Sequence, residues 1–256
     1  MSDFAFTPKR HDQILDLLAQ QGKLTITDIV DHFEVSTATA RRDLNRLAEE
    51  GKLRRFHGGA IQAELSEPEA PIFRRSMDQR DEKRRIGVAA ANLITEGDTV
   101  FLGSGSTVLE VARNLRDKKL TVITNSLPIV LLFADCENIE LIALGGVFRS
   151  SEKSFIGHIT ENELSELRAD KVIIGIRAVS LKHGLTNDHL PETLTDRTII
   201  ELGQQLIIVA DHTKFDRVST SFVATLDKVD TIVTDLGVPE TTIAGLREES
   251  IQVIQV

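Results

Sequence analysis

From residue 98 onward, short runs dense in Val, Ile and Leu alternate with helical stretches, and this alternation constrains the fold more than any other feature of the chain. The runs fall at 99–102, 120–124, 139–144, 171–176, 205–210, 231–234 and 251–256. Helical periodicity fills 108–115, 159–167, 192–202 and 240–247 between them. Several runs are nearly continuous in aliphatic residues, as a strand must be when both faces of its sheet are covered. Strands alternating with helices in this way build an α/β domain with a doubly wound, largely parallel sheet. Ligands of such sheets sit beyond the carboxyl ends of the strands, so the turns leaving each run are the places to search for function.

The first sixty residues follow a different rule. Thr7 and Pro8 suit the start of a helix, Ile14, Leu17 and Leu18 share its face, and Gly22 suits its end. A second helix fits Ile26, Ile29, Val30 and Phe33, with Thr25 as its cap. A third begins after Ser36, keeps Ala40, Leu44 and Leu47 on one face, and ends at Gly51. Only Glu34, Val35 and Ser36 separate the second and third helices, the spacing of a helix-turn-helix. Leu53-Arg54-Arg55-Phe56 and Ala60-Ile61 flank His57-Gly58-Gly59, which suits a tight hairpin and hence a wing. Thr37, Thr39, Arg41, Arg42 and Asn45 fall off the apolar face of the third helix. They offer hydroxyls at a positively polarised helix start and guanidiniums that fork onto phosphate or guanine. A merely solvated charged face, or a winged helix for protein contacts, has the same residues.

Charge needs partitioning before it is used. The 256 residues carry a net charge of −9, which on average argues against a nucleic-acid partner. Residues 1–85 hold 15 basic and 15 acidic side chains, so the whole excess lies in 86–256 with 15 basic and 24 acidic. From Ser36 to His57 six basic residues face three acidic ones, a local balance of +3. Trp and Tyr are absent, which weakens any scheme of base stacking on an aromatic platform. One cysteine, Cys136, allows no intrachain disulfide. Residues 1–12 lack the pattern of a signal peptide, and the longest apolar run, 127–134, is too short to span a bilayer. A cytoplasmic protein without membrane contact is expected. Residues 63–81, polar and bearing Pro68 and Pro71, read as a linker between a first domain at 1–62 and a second at 82–256.

Among the strand-end turns, Gly103-Ser104-Gly105-Ser106-Thr107 lies directly between a strand and a helix. Glycines let the backbone approach a ligand, and the amides of a helix start attract an anion, with hydroxyls as further donors. The turn lacks the lysine ending of a Walker loop and a full dinucleotide fingerprint, so a small phosphate monoester fits better. A plain turn with a hydroxyl cap uses the same residue types. Other strand ends offer Thr124-Asn125-Ser126, Gly145-Gly146, Gly175 with Arg177, and Asp211-His212-Thr213-Lys214. Together they supply donors for a phosphate, and a carboxylate and an ammonium for sugar hydroxyls. His183, Asp188 and His189 have no regular ligand spacing, and no metal is expected there.

Ser36-Thr37-Ala38-Thr39-Ala40-Arg41-Arg42-Asp43-Leu44, then Leu47, Gly51 and His57-Gly58-Gly59-Ala60, resemble the N-terminal signature of the DeoR family of bacterial transcription regulators. Ala40 departs from it, since isoleucine or valine is more usual there. The turn at 103–107, Thr124-Asn125-Ser126, Gly145-Gly146 and Ala210-Asp211-His212-Thr213-Lys214 resemble the sensor half of that family, which is similar to ribose-5-phosphate isomerase. The resemblance implies a winged helix on double-stranded operator DNA and a homodimer or homotetramer. It further implies a phosphorylated sugar as effector, with no cofactor, and repression of a carbohydrate-catabolism operon. An activator of the same architecture, or an isomerase-like enzyme fused to a winged helix, remains the alternative. The isomerase pattern has paired acids where this chain has Gly175-Ile176-Arg177-Ala178, leaving Glu192 as a lone acid better suited to holding a hydroxyl. Arg177, where the sensor pattern carries an aspartate, is expected to contact the effector or else to pair with a nearby carboxylate. On DNA the expected contacts are Ser36, Thr37, Thr39, Arg41, Arg42, Asn45, Arg54, Arg55, His57, Gly58 and Gly59.

Overall fold

A computed structural model describes residues 7–21, 23–49, 53–56, 58–62 and 71–256. The chain divides into two compact units, Met1–Glu67 and Pro68–Val256. Gly22, Gly51 and residues 63–70 of the stretch read as a linker lie outside the described residues.

The first unit runs α1 (Thr7–Gln21), β1 (Lys23–Thr25), α2 (Ile26–Phe33), α3 (Thr37–Glu49), β2 (Leu53–Phe56) and β3 (Gly59–Gln62). Thr25 starts α2 with a capping box: its hydroxyl accepts from Asp28 N at 3.1 Å while the Asp28 carboxylate takes Thr25 N at 2.7 Å. Glu34 ends α2 with φ 50°, and α3 starts three residues later, at Thr37. Ser36 Oγ accepts Thr39 N at 3.1 Å and so caps α3. The apolar residues expected on each helix, Ile14, Leu18, Ile29, Ala40, Leu44 and Leu47, converge in one core. β2 and β3 pair antiparallel from Leu53 with Gln62 to Phe56 with Gly59, and β1 joins on the far side of β3.

The second unit begins with α4 (Ile72–Arg75) and α5 (Arg80–Ala91). It continues through β4 (Thr99–Leu102), α6 (Ser106–Arg113), β5 (Leu120–Thr124), α7 (Leu127–Phe133), β6 (Ile139–Ala143), β7 (Val147–Arg149), β8 (Ser154–Ile156) and α8 (His158–Ser165). Next come β9 (Ala169–Ile174), β10 (Ala178–Ser180), β11 (Gly184–Asn187), α9 (Leu190–Ile200), β12 (Gly203–Val209), β13 (Ser221–Ala224), β14 (Thr231–Thr234), α10 (Glu240–Glu248) and β15 (Gln252–Gln255).

Seven strands form one parallel sheet in the order β15-β14-β12-β9-β4-β5-β6. All seven aliphatic runs of the sequence are in it, each covered on both faces. Ile86, Val108, Val111 and Ile129 from α5, α6 and α7 pack with Val100, Leu102 and Val122 on one side. Leu164, Ile199, Ile243 and Leu246 from α8, α9 and α10 pack with Phe101, Ile123 and Ile208 on the other. The chain enters at β4, winds outward through β5 and β6, then returns to β9 on the opposite flank of β4. The direction of winding therefore reverses between β4 and β9, the point where a doubly wound sheet opens a crevice for ligands. Two antiparallel pieces rim the sheet: the hairpin of β7 and β8, and the sheet β10-β11-β13. No helix among the described residues is long and apolar enough to cross a membrane.

Candidate functional site

Two surfaces collect the residues singled out in the sequence. On the first unit, Ser36, Thr37, Arg41, Arg42 and Asn45 are exposed, while Thr39 is half-buried with its hydroxyl 2.9 Å from Ser36 Oγ. α3 is held to α1 by a buried carboxylate: Asp43 accepts Arg10 Nε at 2.7 Å and lies 3.1 Å from His11 Nε2. Its side chain faces the interior, and a charge count cannot reveal that. Arg55 does not extend freely as a phosphate ligand. Its Nη1 donates to Asn45 Oδ1 at 2.8 Å and to Arg41 O at 3.2 Å, so it braces the wing against α3. Gly58, at φ 106°, gives its carbonyl to Ile26 N at 2.9 Å, and Gly59 is buried between β1 and β2. The Arg54 side chain and His57 lie outside the described residues.

On the second unit, the crevice between the ends of β4 and β9 is floored by the expected turn. Gly103 donates its amide to Ile173 O at 3.0 Å, and a Cβ there would lie 2.9 Å from Ile174 Cγ2, so only glycine fits. Gly105, at φ 126°, is the N-cap of α6 and brings no side chain to its first-turn amides. Ser106 and Thr107 follow, 5% and 8% exposed. Their hydroxyls have no hydrogen-bond partner among the described residues. Gly175, just past the end of β9, faces this turn at van der Waals distance, with Val108 Cγ2 3.8 Å and Ser104 O 3.9 Å from where its Cβ would be.

Cations enter from a direction the sequence did not indicate. Lys83 of α5 is 5% exposed and donates to Arg75 O at 2.7 Å and Asp78 O at 2.5 Å, with Asp211 Oδ2 3.8 Å away. Burial pushes the Lys83 amine below its usual pKa. Lys214 and Arg75 add to the shift and Asp211 opposes it. Arg75 pairs with Glu152, in the turn of the β7–β8 hairpin, and Ile72 N donates to Ser151 O at 3.0 Å. Asp211 also accepts Thr213 N at 3.0 Å and the Thr213 hydroxyl. Arg75 and Lys83 lie in or next to the stretch read as a connector, where charge density disguised packed side chains.

A second belt of charge borders the crevice. Arg149, the last residue of β7, pairs with Glu192 of α9. Arg177 lies 3.6 Å from Asp188, and its amide donates to Asn187 Oδ1 at 3.1 Å. Asn187 Nδ2 in turn donates to Asp196 at 2.5 Å. Desolvation of the Asp196 carboxyl, with the charge of Glu192 next in importance, holds its pKa well above the usual carboxylate value. His189 is lowered by burial and by Arg149, and its Nδ1 accepts Glu192 N at 3.3 Å as the cap of α9. Among the described residues no three His, Cys, Asp or Glu side chains cluster as metal ligands would.

Other expected site residues serve the frame. Thr124 Oγ1 donates to Leu102 O at 2.6 Å and accepts Ser126 N at 3.0 Å, locking β5 to β4. Asn125 is fastened to Phe155, donating from Nδ2 at 2.9 Å and accepting at its carbonyl at 2.8 Å, and Ser126 bridges to Ser154. The Gly145 amide and carbonyl are taken by Glu163 at 2.8 Å and Thr160 at 2.6 Å. At Gly146 a Cβ would lie 2.2 Å from Thr160 Oγ1. These residues fasten the ends of β5 and β6 to their neighbours.

Residues 10–65 match the DeoR-like helix-turn-helix domain, and residues 78–236 match the DeoR C terminal sensor domain. The chain belongs to the DeoR family. Among its relatives is the transcriptional repressor AccR of Agrobacterium fabrum, 38% identical over 236 residues, 91% of this chain and 92% of that protein. The glycerol-3-phosphate regulon repressor of Escherichia coli is 34% identical over 245 residues, 95% of this chain and 97% of that protein. Among solved structures, ribose 5-phosphate isomerase A from Neisseria gonorrhoeae is 19% identical with a TM-score of 0.41, covering 54% of this chain and 55% of that one. Likeness at that level says nothing of activity. Two departures from the DeoR signature now have a physical setting. Ala40, in place of a larger aliphatic, is fully buried and leaves the exposed face of α3 untouched. Arg177 has Asp188 as its partner at the crevice rim.

Proposed function

We propose that this DeoR-family chain is a DNA-binding transcriptional repressor whose hold on its operator is set by a phosphorylated sugar in the second unit. The effector reading rests on three kinds of group in the second unit, the α6 turn standing at the winding reversal and the cations on elements α4 and α5 that contact α6. They are the uncapped first turn of α6 with the Ser106 and Thr107 hydroxyls, the cations of Lys83, Arg75 and Lys214, and the carboxylate of Asp211. Amides and cations suit a phosphate, and a carboxylate suits hydroxyls. Arg149 with Glu192, and Arg177 with Asp188, would read the rest of the molecule. An isomerase needs a carboxylate placed to take a proton from carbon; here Glu192 is bound to Arg149 and Asp211 caps its own turn, so binding without turnover is the better reading.

On DNA, the N-terminal turn of α3 and Arg41, Arg42 and Asn45 would enter the major groove, with Arg54 and His57 of the wing on phosphates and Arg55 holding the wing in place. Winged helices read paired half-sites, so the working form is a homodimer or homotetramer. The test uses the DNA upstream of the chain's own gene in a gel shift, with a thermal-shift panel of sugar phosphates alongside. Arg41→Ala with Arg42→Ala is expected to abolish the shift, and either substitution alone to weaken binding and lessen the salt slope by about one where it leaves a phosphate without its cation. A true effector at about 100 times its dissociation constant adds about 2.7 kcal/mol, and Ser106→Asp abolishes that gain. Unchanged DNA binding by the double variant refutes the α3 assignment, and a panel without any stabilising sugar phosphate refutes the effector class.

A further inference from the structure

The sensor holds two cations on internal carboxylates, and both cations belong to one stretch of chain. Arg75 ends α4 and pairs with Glu152; Lys83 opens α5 and lies 3.8 Å from Asp211. All four side chains are largely withdrawn from water, at 14%, 5%, 6% and 2% exposure respectively for Arg75, Glu152, Lys83 and Asp211. Lys83 also ties this stretch to itself through the carbonyls of Arg75 and Asp78. Its other fastenings are Ile72, 1% exposed, whose amide binds Ser151 O, and the contact of α4 with α6. Residues 71–83 thus lie as a strap whose fixings lead to the crevice wall, and the strap is the covalent continuation of the chain from the winged helix.

We propose that this strap transmits effector binding, and that Glu152 and Asp211 compete with the effector's anion for Arg75 and Lys83. The inference rests on the sensor reading above. Buried cations are costly without a counter-charge, and the carboxylates supply it in the arrangement seen here. A phosphate at the first turn of α6 carries more charge and more acceptor oxygens than either carboxylate, so it draws the same two cations to itself. Glu152 and Asp211 are then available to sugar hydroxyls. Because Lys83 also holds the carbonyls of Arg75 and Asp78, drawing both cations to the phosphate loosens the strap's own fixings, and occupancy becomes a displacement of the chain that leads to the winged helix. The carboxylate-paired arrangement is the DNA-binding one, and each ligand disfavours the other by the same factor.

The experiment measures two affinities on the full-length protein: upstream DNA by gel shift, and inorganic phosphate by thermal shift. Glu152→Gln removes the competitor of the anion, so phosphate should bind more tightly and DNA more weakly, each by about five- to tenfold. Arg75→Ala should weaken both. The exchange of charges, Arg75→Glu with Glu152→Arg, re-forms the strap pair and should restore DNA affinity while leaving phosphate binding impaired. Should Glu152→Gln fail to fold, Arg75→Lys, which keeps the charge and loses the fork, replaces it and should shift DNA affinity in the direction of Arg75→Ala. Wild-type affinities for both ligands in Glu152→Gln overturn the strap proposal, as does an exchange variant that binds DNA no better than Arg75→Ala. A wild type that phosphate and sugar phosphates fail to stabilise overturns the sensor reading itself.

Discussion

Replacing Asp43 with alanine removes the acceptor that ties α3 to α1, and the cost can be built from the partners left behind. Asp43 is 4% exposed and holds Arg10 Nε at 2.7 Å and His11 Nε2 at 3.1 Å. Breaking a buried pair by deleting one partner costs about 3–5 kcal/mol. The Arg10 side chain keeps 17% of its surface in water, which places the loss near the lower end, about 3 kcal/mol. A unit of this size has a total stability of only about 3–10 kcal/mol. The substitution therefore consumes a third of it or more. In a domain of 60–100 residues each kcal/mol moves the midpoint by about 4–8 °C, so the winged helix should melt about 12–24 °C lower. Calorimetry on the full chain resolves this as a shift of one transition, with that of the sensor unit unmoved, and DNA binding at 37 °C should fall with it. Asp43→Asn keeps an acceptor and should lose about half as much. If Asp43→Ala melts within about 3 °C of the wild type, the contacts among Asp43, Arg10 and His11 are not what docks α3.

Three further predictions follow from the sensor unit. Gly146→Ala puts a Cβ at φ 138° and 2.2 Å from Thr160 Oγ1, so the sensor transition should lose at least about 3 kcal/mol, and a variant as stable as the wild type would remove the steric argument. Gly175→Ala, whose nearest neighbour is 3.8 Å away, should fold normally yet weaken effector binding, which a thermal-shift titration reads directly. The raised pKa of Asp196 means that the folded chain keeps a proton which the unfolded chain has already lost. Stability from this group is complete below the usual carboxylate pKa and falls as pH rises towards the raised value, by at most about 1.4 kcal/mol per pH unit. Asp196→Asn should flatten that decline above the usual carboxylate pKa, and matching pH profiles for the two proteins would contradict it.

How much of this was legible in the sequence depended on what each residue buries. The seven parallel strands were plain because cover on both faces demands unbroken aliphatic runs such as 205–210. The rim strands were not: β7, β8 and β10 have three residues each, too few for an alternation to register. In the winged helix the spacing of Ile26, Ile29, Val30 and Phe33 was enough, since an amphipathic helix advertises its core. Charged residues misled in both units. Asp43 and Lys83 count as solvated charge in any composition, yet both are buried against partners far away in sequence. The strap was hidden in the same way, with Ile72 as the only aliphatic between Pro71 and Lys83, in a stretch dominated by arginines and aspartates. The site turn at 103–107 was readable because its chemistry is local. Glu192 was readable as a residue and not as a pair, since Arg149 reaches it only through the fold, whereas Asp188 supplies the nearby carboxylate that was one of the two expectations for Arg177.

The packing of α5 also sets an order of events during synthesis. This helix is among the first parts of the sensor to be made, yet it rests on β12 and β14, and β14 follows it by about 140 residues. Its apolar face has no complete partner until β14 has been made. The winged helix, by contrast, has every element of its core within the first 62 residues. At translation rates of about 5–20 residues per second, the DNA-binding unit precedes its own regulator by about 10–40 s. The DNA-binding unit is therefore complete while much of the sensor unit has still to be made.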